Sequence, residues 1–224
     1  MRAKLSVVIP TLNAEDGLWR SVPALAEGLE AGLIRELVIS DGGSTDATLQ
    51  VAEAAGAVQV TGVPSRGGQL RRGAEAAAGE WMLFLHADSV LPVGWAEAVL
   101  AHIGAGHGPA AFKLTFDATG MAPACVAGWA NLRSRVFGVP YGDQGLLISR
   151  DDYDAVGGYR DMPLMEDVAM ARALHRRIRL LPLPVKTSAA RYERDGWLRR
   201  GARNLWLLLR YFCGADPSRL VRRY

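Results

Sequence analysis

Cysteine is scarce in this sequence, which holds only Cys125 and Cys213 among 224 residues. Two cysteines do not build a disulfide framework, so the composition favours a reducing compartment. Long hydrophobic runs are also missing, because the run from Leu205 to Leu209 is far shorter than the roughly 20 residues that a membrane-spanning helix needs. No signal-peptide pattern opens the chain. These absences predict a globular, cytoplasmic protein.

Several familiar motifs are absent as well. No Gly-x-Gly-x-x-Gly follows the first strand pattern and no Walker lysine is present, which argues against a dinucleotide-binding or P-loop protein. The four histidines lack zinc-finger spacing, and neither a Ser/His/Asp order nor a Gly-x-Ser-x-Gly motif occurs, which argues against hydrolases of that type.

Positive charge is concentrated at the C-terminal end. From Arg172 onward there are 14 Arg and Lys against three acids, a net +11, whereas the preceding part carries −8. Such a segment suits an anionic partner, which could be a diphosphate, a lipid surface or nucleic acid, or it is simply a solvated helix face. No recognisable nucleic-acid-binding motif accompanies the charge, so we do not expect nucleic acid as the partner.

Strand and helix patterns alternate over the first ninety residues. The predicted strands are Leu5–Pro10, Arg35–Ser40, Val58–Thr61 and Trp81–His86. The intervening helices are predicted at Glu15–Leu29, from an N-cap at Ser44 or Thr45 to Gly56, and at Gly67–Ala78. This alternation predicts a Rossmann-like half with a parallel sheet.

The pattern changes in the rest of the chain. Two neighbouring strands are predicted at Ala111–Asp117 and Leu146–Ser149. Helices are predicted at Gly94–Ile103, Met121–Arg135, Met165–His175 and Trp197–Phe212. The segment Leu180–Pro184 is interpreted as an apolar stop. No linker divides the sequence. We therefore expect one α/β domain over residues 1–224, with a nucleotide-binding half at 1–90, an acceptor and catalytic half at 91–196, and a basic helical segment at 197–224.

Two acids follow predicted strands, Asp41 after the second and Asp88 after the fourth. Strands of a parallel sheet present functional groups at their carboxyl ends, so these acids suit a nucleotide pocket. A carboxylate there can hold Mg²⁺ or Mn²⁺ against a diphosphate, although Asp88 could equally cap a helix. Arg66, in a loop before the third helix, could meet phosphate oxygens or lie on the surface.

Two further segments carry candidate groups. One carboxylate of Glu166-Asp167 could act as a general base toward a sugar hydroxyl, or both could compensate a helix dipole. Asp143 and Gln144 lie in a Gly-rich loop, which fits either acceptor recognition or plain turn chemistry.

Taken together, these motifs resemble those of inverting family-2 glycosyltransferases of the GT-A fold. The resemblance rests on Val7–Glu15, Asp41–Asp46, Ala77–Glu80 with Leu83–Asp88, and Met165–Asp167, in that order. It is strongest to a small bacterial subgroup associated with radical-SAM and selenium-related genes, through Arg66 and Gln69, Phe84–Asp88, Tyr141–Gln144 and Thr187–Arg191.

The resemblance implies a GT-A fold with a mostly parallel central sheet flanked by helices, a nucleoside-diphosphate sugar as donor and an acceptor that the sequence does not reveal. It implies that Asp88 takes the place of the last acid in the Asp-x-Asp metal motif and that Asp167, beside Glu166, is the catalytic base of one in-line displacement. The residues it places around the substrates are Pro10, Thr11, Glu15, Asp41, Arg66, Gln69, His86, Ala87, Asp143, Gln144 and Arg191.

The sequence departs from the family pattern at two positions. His86 replaces the first acid of Asp-x-Asp, and Arg71 replaces a common asparagine, so metal dependence and substrate identity stay open. The alternatives are a nucleotidyltransferase, or a non-catalytic protein that binds nucleotide sugars or associates with membranes.

The C-terminal segment has three interpretations. Its arginines could close over the diphosphate as a lid, its aromatic and basic helix could rest on the inner face of a membrane, or that helix could pack its Leu and Trp face on the core. We expect core packing for the helix and a lid for the loop before it. The lid arginines are Arg191, Arg194, Arg199 and Arg200.

Overall fold

The protein is described from a computed structural model that covers residues 3–175 and 177–221. Within these residues, seven strands form one sheet in the order β3-β2-β1-β4-β6-β5-β7. They are β1 Leu5–Thr11, β2 Ile34–Asp41, β3 Val58–Thr61, β4 Trp81–Phe84, β5 Ala110–Phe116, β6 Leu146–Ser149 and β7 Arg179–Thr187.

The first four strands are mutually parallel, as the alternating pattern predicts. Strand β6 runs antiparallel to β4 and β5, and β7 runs parallel to β5. Strand β1 has β2 on one side and β4 on the other, so the order of the strands in the sheet reverses at β1. Ligands of open α/β sheets bind where the order reverses in this way, outside the carboxyl ends of the strands.

The helices cover both faces of the sheet. They are α1 Glu15–Ser21, α2 Ala26–Glu30, α3 Thr48–Ala54, α4 Arg66–Ala76, α5 Trp95–Gly104, α6 Met121–Phe137, α7 Arg150–Ala155, α8 Glu166–Ala173, α9 Ala190–Asp195, α10 Trp197–Phe212 and α11 Pro217–Leu220. Residues of β4 alternate between two apolar layers, because Phe84 joins one buried cluster and Leu83 the other. An apolar run buried on both faces is what a central strand requires.

Three predicted elements differ from the structure. The helix expected over Glu15–Leu29 is divided into α1, a 3₁₀ turn at Val22–Leu25 and α2, with Pro23 at the start of the turn. Helix α3 begins at Thr48 rather than after Ser44 or Thr45, and its N-cap residue Ala47 makes no side-chain cap.

The third difference is the segment Leu180–Pro184, which is part of the nine-residue strand β7 rather than a stop. Pro182 and Pro184 lie on this edge strand, where a missing N–H is tolerated. The prolines weaken the strand pattern in the sequence, but the segment pairs with β5 and is therefore a strand.

Helix α10 packs on the core as expected, but only with part of its apolar surface, because Leu207 and Leu208 join a buried cluster while another apolar stripe is exposed. Leu207 and Leu208 are buried with Arg200, but Leu198 is 87% exposed and Leu209 is 55% exposed. The exposed stripe of α10, which we call the outer stripe, consists of Leu198, Leu205, Leu209 and Phe212. Across residues 3–175 and 177–221, no helix combines the length and the apolar character needed to span a bilayer.

Candidate active site

A cavity of about 780 Å³ opens at the carboxyl ends of β1 and β4. The sequence-predicted residues that line it are Pro10, Thr11, Glu15, Arg66, Gln69, His86, Ala87, Asp88, Asp143, Glu166, Asp167 and Arg191. These residues come from segments spread over most of the chain, and the sheet brings them to one edge. Asp41 and Gln144 do not line the cavity.

Asp41 lies behind the cavity wall and is 1% exposed. Its carboxylate accepts hydrogen bonds from the Thr11 hydroxyl at 2.8 Å, from the Gly43 and Ser44 N–H groups at 2.7 Å each, and from the Ser44 hydroxyl. Burial acts to raise the pKa of Asp41, but these hydrogen bonds together lower it below its ordinary value. The charged side chain therefore holds the turn after β2, and a contact with base or ribose stays a prediction.

The loops after β1 and β2 are tied to each other beside the cavity. The Asn13 side-chain oxygen accepts the Thr45 N–H at 2.8 Å, and the Asn13 N–H donates to the Ser44 hydroxyl at 2.8 Å. Asn13 has a positive φ of 49°. Glu15 accepts the Ala47 N–H at 3.3 Å. Sequence reasoning missed the structural role of Asn13, although Asn is among the residues most often found at positive φ.

Gln69 joins the ends of two strands. Its amide nitrogen donates to the Thr11 carbonyl at 2.6 Å and to the Ser40 carbonyl at 3.1 Å, and the side chain is buried. The predicted substrate-binding role stays a prediction, but the structure gives Gln69 a clear structural task, which is to fix β1 and β2 at the cavity edge.

Arg66 begins α4 and links two acidic segments of the site. Its Nε lies 3.1 Å from Glu166 Oε1, and its guanidinium also contacts the His86 ring. Glu166 is 2% exposed. Burial raises the pKa of Glu166 to about 7, with Arg66 acting to lower the pKa and Asp167 acting to raise it.

His86 follows β4 and stands where the family pattern has an acid. Burial, together with the positive charges of Arg66 and Arg191, holds the pKa of its imidazole well below the ordinary value. The ring packs against Gly142, where an added Cβ would come within 2.4 Å of His86 Nε2. His86 is therefore a neutral packing group between the start of α4 and the Gly142 turn.

Asp167 lies in the first turn of α8, as predicted. Its Oδ2 accepts the Gly142 N–H at 2.8 Å, and its Oδ1 accepts the Val168 N–H at 2.7 Å. Both bonds fix the carboxylate in one orientation at the cavity wall.

Gln144 is fully buried rather than at the cavity surface. Its amide oxygen accepts from the Ser134 hydroxyl at 2.6 Å, and its nitrogen donates to the Phe112 carbonyl at 3.1 Å. The interpretation of Gln144 as a substrate contact is not favoured by this position. Tyr141 does line the cavity, with the Arg133 guanidinium 3.4 Å from its ring centroid.

Two carboxylates suit a divalent cation at this site. Asp88 lines the cavity, and Asp143 beside it has a buried Oδ1 that finds no hydrogen-bond partner among the described residues. Within the same residues, no cluster of three or more His, Cys, Asp or Glu could hold a metal alone. Carboxylate oxygens are the ligands that Mg²⁺ and Mn²⁺ prefer, and the coordination of such ions is commonly completed by phosphate groups and water, so Asp88 and Asp143 fit a divalent-cation site.

The C-terminal segment closes one side of the cavity. Arg191 and Arg200 line it, whereas Arg194 pairs with Asp195 at 2.9 Å outside it and Arg199 is exposed. Asp195 also pairs with Arg200 at 2.7 Å. Two of the four arginines predicted to form a lid are thus at the cavity wall.

A sequence model of the family described as Glycosyl transferase family 2 matches residues 6–117, half of the chain. The chain belongs to glycosyl transferase family 2. The match includes the loop after β1, the Asp41 turn and Asp88, but it ends before Asp143 and α8.

Curated relatives agree with this assignment over a shorter stretch. Glucosyl-3-phosphoglycerate synthase of Mycolicibacterium smegmatis is 36% identical over 97 residues, and the enzyme of the same name from Mycolicibacterium paratuberculosis is 34% identical over 97 residues. Each alignment covers 39% of this chain. The matched part covers about a third of the length of these relatives, 32% and 29% respectively.

Solved structures of glycosyltransferases share the fold of this family 2 member. S. aureus TarS in complex with UDP superposes with a TM-score of 0.64 at 20% identity, covering 83% of this chain and 60% of that chain. Glucosyl-3-phosphoglycerate synthase from Mycobacterium tuberculosis, in complex with Mn²⁺, UDP and phosphoglyceric acid, superposes with a TM-score of 0.65 at 21% identity. The superposition covers 96% of this chain and 80% of that chain. The expected GT-A fold is confirmed.

A third solved structure has the same fold. The mannosyltransferase PcManGT from Pyrobaculum calidifontis, in complex with GDP-Man and Mn²⁺, superposes with a TM-score of 0.69 at 18% identity. The superposition covers 97% of this chain and 67% of that chain.

Proposed function

We propose that this family 2 member is an inverting glycosyltransferase that moves a sugar from a nucleoside-diphosphate sugar to an acceptor hydroxyl. The observation that carries the proposal is that Asp88 and Asp167, 79 positions apart in sequence, line one cavity together with Thr11 and Glu15. Residues 1–90 would hold the nucleotide and residues 91–196 the acceptor and the base. The basic segment predicted at 197–224 would follow them, and its residues 222–224 lie outside the described part of the chain.

The donor is proposed from charge and from the relatives. Arg66 and Arg191 line the cavity and provide positive charge for a diphosphate. Structures of similar fold contain UDP, UDP-GlcNAc or GDP-Man. The conjunction of Arg66, Gln69 and the Tyr141–Gln144 segment also supports the proposed radical-SAM-associated subgroup.

Asp167 is the proposed general base. Its carboxylate is held by two backbone N–H groups, so it is oriented before an acceptor arrives. Deprotonation of the acceptor hydroxyl by Asp167 makes that oxygen a better nucleophile at the anomeric carbon. One base acting on the acceptor, with no enzyme nucleophile in the step, gives inversion.

A divalent cation, Mn²⁺ or Mg²⁺, is the proposed cofactor, and Asp88 is the residue proposed to hold it. When bound, such an ion stabilises the charge that develops on the departing nucleoside diphosphate. Arg66 and Arg191 would bind the same diphosphate from the protein side, and His86, being neutral, adds no charge there.

The test is release of nucleoside diphosphate from a panel of UDP- and GDP-sugars with Mn²⁺ and a mixture of acceptors. We expect Asp167→Asn to keep donor binding but to lower turnover roughly 10²- to 10⁴-fold, the range of general-base contributions. Asp151→Asn, an exposed acid of α7, is the matched control and should act as wild type. Unchanged turnover in Asp167→Asn would remove the base role. Transfer of the nucleotidyl group to an acceptor with release of sugar 1-phosphate, instead of nucleoside diphosphate, would favour a nucleotidyltransferase.

We also propose that the protein contacts the cytoplasmic face of an anionic membrane through α6 and α10. These two helices contact each other, and both expose apolar side chains. On α6 these are Met121, Trp129, Leu132, Val136 and Phe137, and on α10 they are the outer stripe and Trp206. Arg199 and Arg210 are exposed beside the outer stripe, which is the charge that anionic headgroups would require.

A further inference from the structure

His86 offers no carboxylate where the metal motif has its first acid. Its imidazole is in contact with the Arg66 guanidinium and packs against Gly142. This leaves Asp88 as the one acid that the segment after β4 offers to the cavity. A single carboxylate is a weak protein contribution to a divalent-cation site.

A second carboxylate enters the cavity from another part of the chain. The 3₁₀ turn Gly142–Gln144 carries Asp143 at its centre. The turn is held at one end by the Gly142 N–H bond to Asp167 and at the other by Gln144, which is buried and bonded to Ser134. The Ser89 hydroxyl, one residue after Asp88, donates to the Asp143 carbonyl at 3.4 Å.

The environment of the Asp143 carboxylate suits the binding of a ligand. Its Oδ1 is buried and accepts no hydrogen bond from any described residue. The charged groups that interact with this carboxyl are Arg133, Asp167, Asp88 and Arg66. A buried carboxylate oxygen without a partner is costly unless a ligand satisfies it, and two acids in proximity attract a cation.

We propose that Asp143 and Asp88 together hold the divalent cation, with Asp143 supplying the carboxylate that His86 replaces in the metal motif. This inference rests on the proposed function, because the nucleoside diphosphate would complete the coordination. Mg²⁺ and Mn²⁺ are commonly bound by one or two carboxylates together with substrate phosphates and water, which agrees with two acids and no larger cluster among residues 3–175 and 177–221.

The test measures metal binding rather than turnover. The full chain is titrated with UDP, and separately with GDP, in the presence and absence of Mn²⁺, by calorimetry, and protein-bound Mn²⁺ is followed by electron paramagnetic resonance. In Asp143→Asn we expect Mn²⁺ affinity with nucleotide to fall about tenfold or more, the scale of losses seen when a metal site is disturbed. Metal-free nucleotide affinity should change less than about twofold.

Three further variants are compared with Asp143→Asn. Asp88→Asn should lose Mn²⁺ to at least the same extent, and Asp151→Asn, on the surface of α7, should bind Mn²⁺ as wild type does. Asp143→Glu, which keeps the carboxylate, should retain more affinity than Asp143→Asn. The metal-free melting temperature of Asp143→Asn should equal or exceed that of wild type, because an unpartnered buried charge is removed.

Retained Mn²⁺ affinity in Asp143→Asn would overturn the inference and would assign Asp143 to acceptor contact instead. A lower metal-free melting temperature would also count against it, since a structural role would then explain Asp143. Wild-type protein that transfers sugar without Mn²⁺-dependent nucleotide binding would overturn this inference and leave the proposed function standing. Failure of the proposed function is read separately, from nucleoside diphosphate release.

Discussion

The Gly142 N–H donates a 2.8 Å hydrogen bond to Asp167 Oδ2, which joins the turn after α6 to the first turn of α8. The two residues lie 25 positions apart in sequence, and both line the same cavity. Behind Gly142 lies the His86 ring, so the orientation of Asp167 depends indirectly on what packs under the turn.

Replacing Gly142 with alanine tests this dependence. The added Cβ would lie 2.4 Å from His86 Nε2, so the turn or the ring has to move and the bond to Asp167 is disturbed. We expect turnover to fall roughly 10- to 100-fold with donor affinity retained, because small displacements of a catalytic group have large effects. Steady-state kinetics and donor titration measure the two quantities. Gly128→Ala, in α6 with open space at its Cβ, is the control and should keep full activity.

Removing the Gln69 amide should destabilise the cavity ends of β1 and β2. In Gln69→Ala, the Thr11 and Ser40 carbonyls each lose a hydrogen bond from a buried donor, which costs about 1–3 kcal/mol in total. Urea denaturation followed by tryptophan fluorescence gives the free energy of unfolding. Gln50→Ala, on the exposed side of α3, should be neutral by the same measurement. Equal stabilities of the two variants would contradict the structural role of Gln69.

The Glu166 carboxyl predicts a pH dependence of stability. Its pKa is raised from 4.5 to about 7, so between these values the folded protein holds a proton that the unfolded chain has released. The free energy of unfolding therefore falls as the pH rises from about 4.5 to 7, by on the order of 3 kcal/mol from this group. Below that window both states are protonated, and above it both are charged.

Glu166→Gln removes this contribution while keeping a side chain that can accept from Arg66. Other ionisable groups are present in both proteins, so the informative quantity is wild-type stability minus that of Glu166→Gln. We expect this difference to decrease from pH 4.5 to pH 7 in thermal or denaturant melts. A difference that stays level, or increases, would show that Glu166 is charged throughout the window.

Membrane contact predicts binding to anionic vesicles. Wild-type protein should float with vesicles that contain phosphatidylglycerol, less with pure phosphatidylcholine, and less again at high salt, because exposed charges are screened. Leu205→Ser with Leu209→Ser removes half of the outer stripe and should lower partitioning about tenfold or more. Val63→Ser with Val93→Ser changes two exposed residues elsewhere and is the control. Equal flotation of both double variants would contradict the proposed surface.

Sequence patterns predicted the sheet better than the boundaries of its helices. The four leading strands were predicted because each is a short apolar run followed by turn residues, and short-range pattern suffices for that. Strand β7 was missed because Pro182 and Pro184 weaken the pattern, and its pairing with β5 spans more than sixty residues. The break in the helix at Pro23 was missed, although proline is a local signal.

For the site, the sequence predicted most of the cavity-lining residues, because motif order reports which groups follow the strands. It could not separate Asp41 and Gln144, which face inward to hydrogen-bond partners, from Asp88 and Asp143, which lie at the cavity. All four are polar residues at strand ends or in turns. The direction of such a side chain depends on contacts with distant segments, so local sequence does not encode it.

The sequence by itself therefore determined the alternation of strands and helices, the family and the set of polar groups near the carboxyl edge, because each is carried by residues close together in the chain. Only the tertiary structure decided which of those groups line the cavity and which form buried hydrogen bonds. It also decided that His86 packs against Gly142 and that the outer stripe of α10 is exposed. These features depend on packing between elements far apart in sequence, and burial is a property of the whole fold.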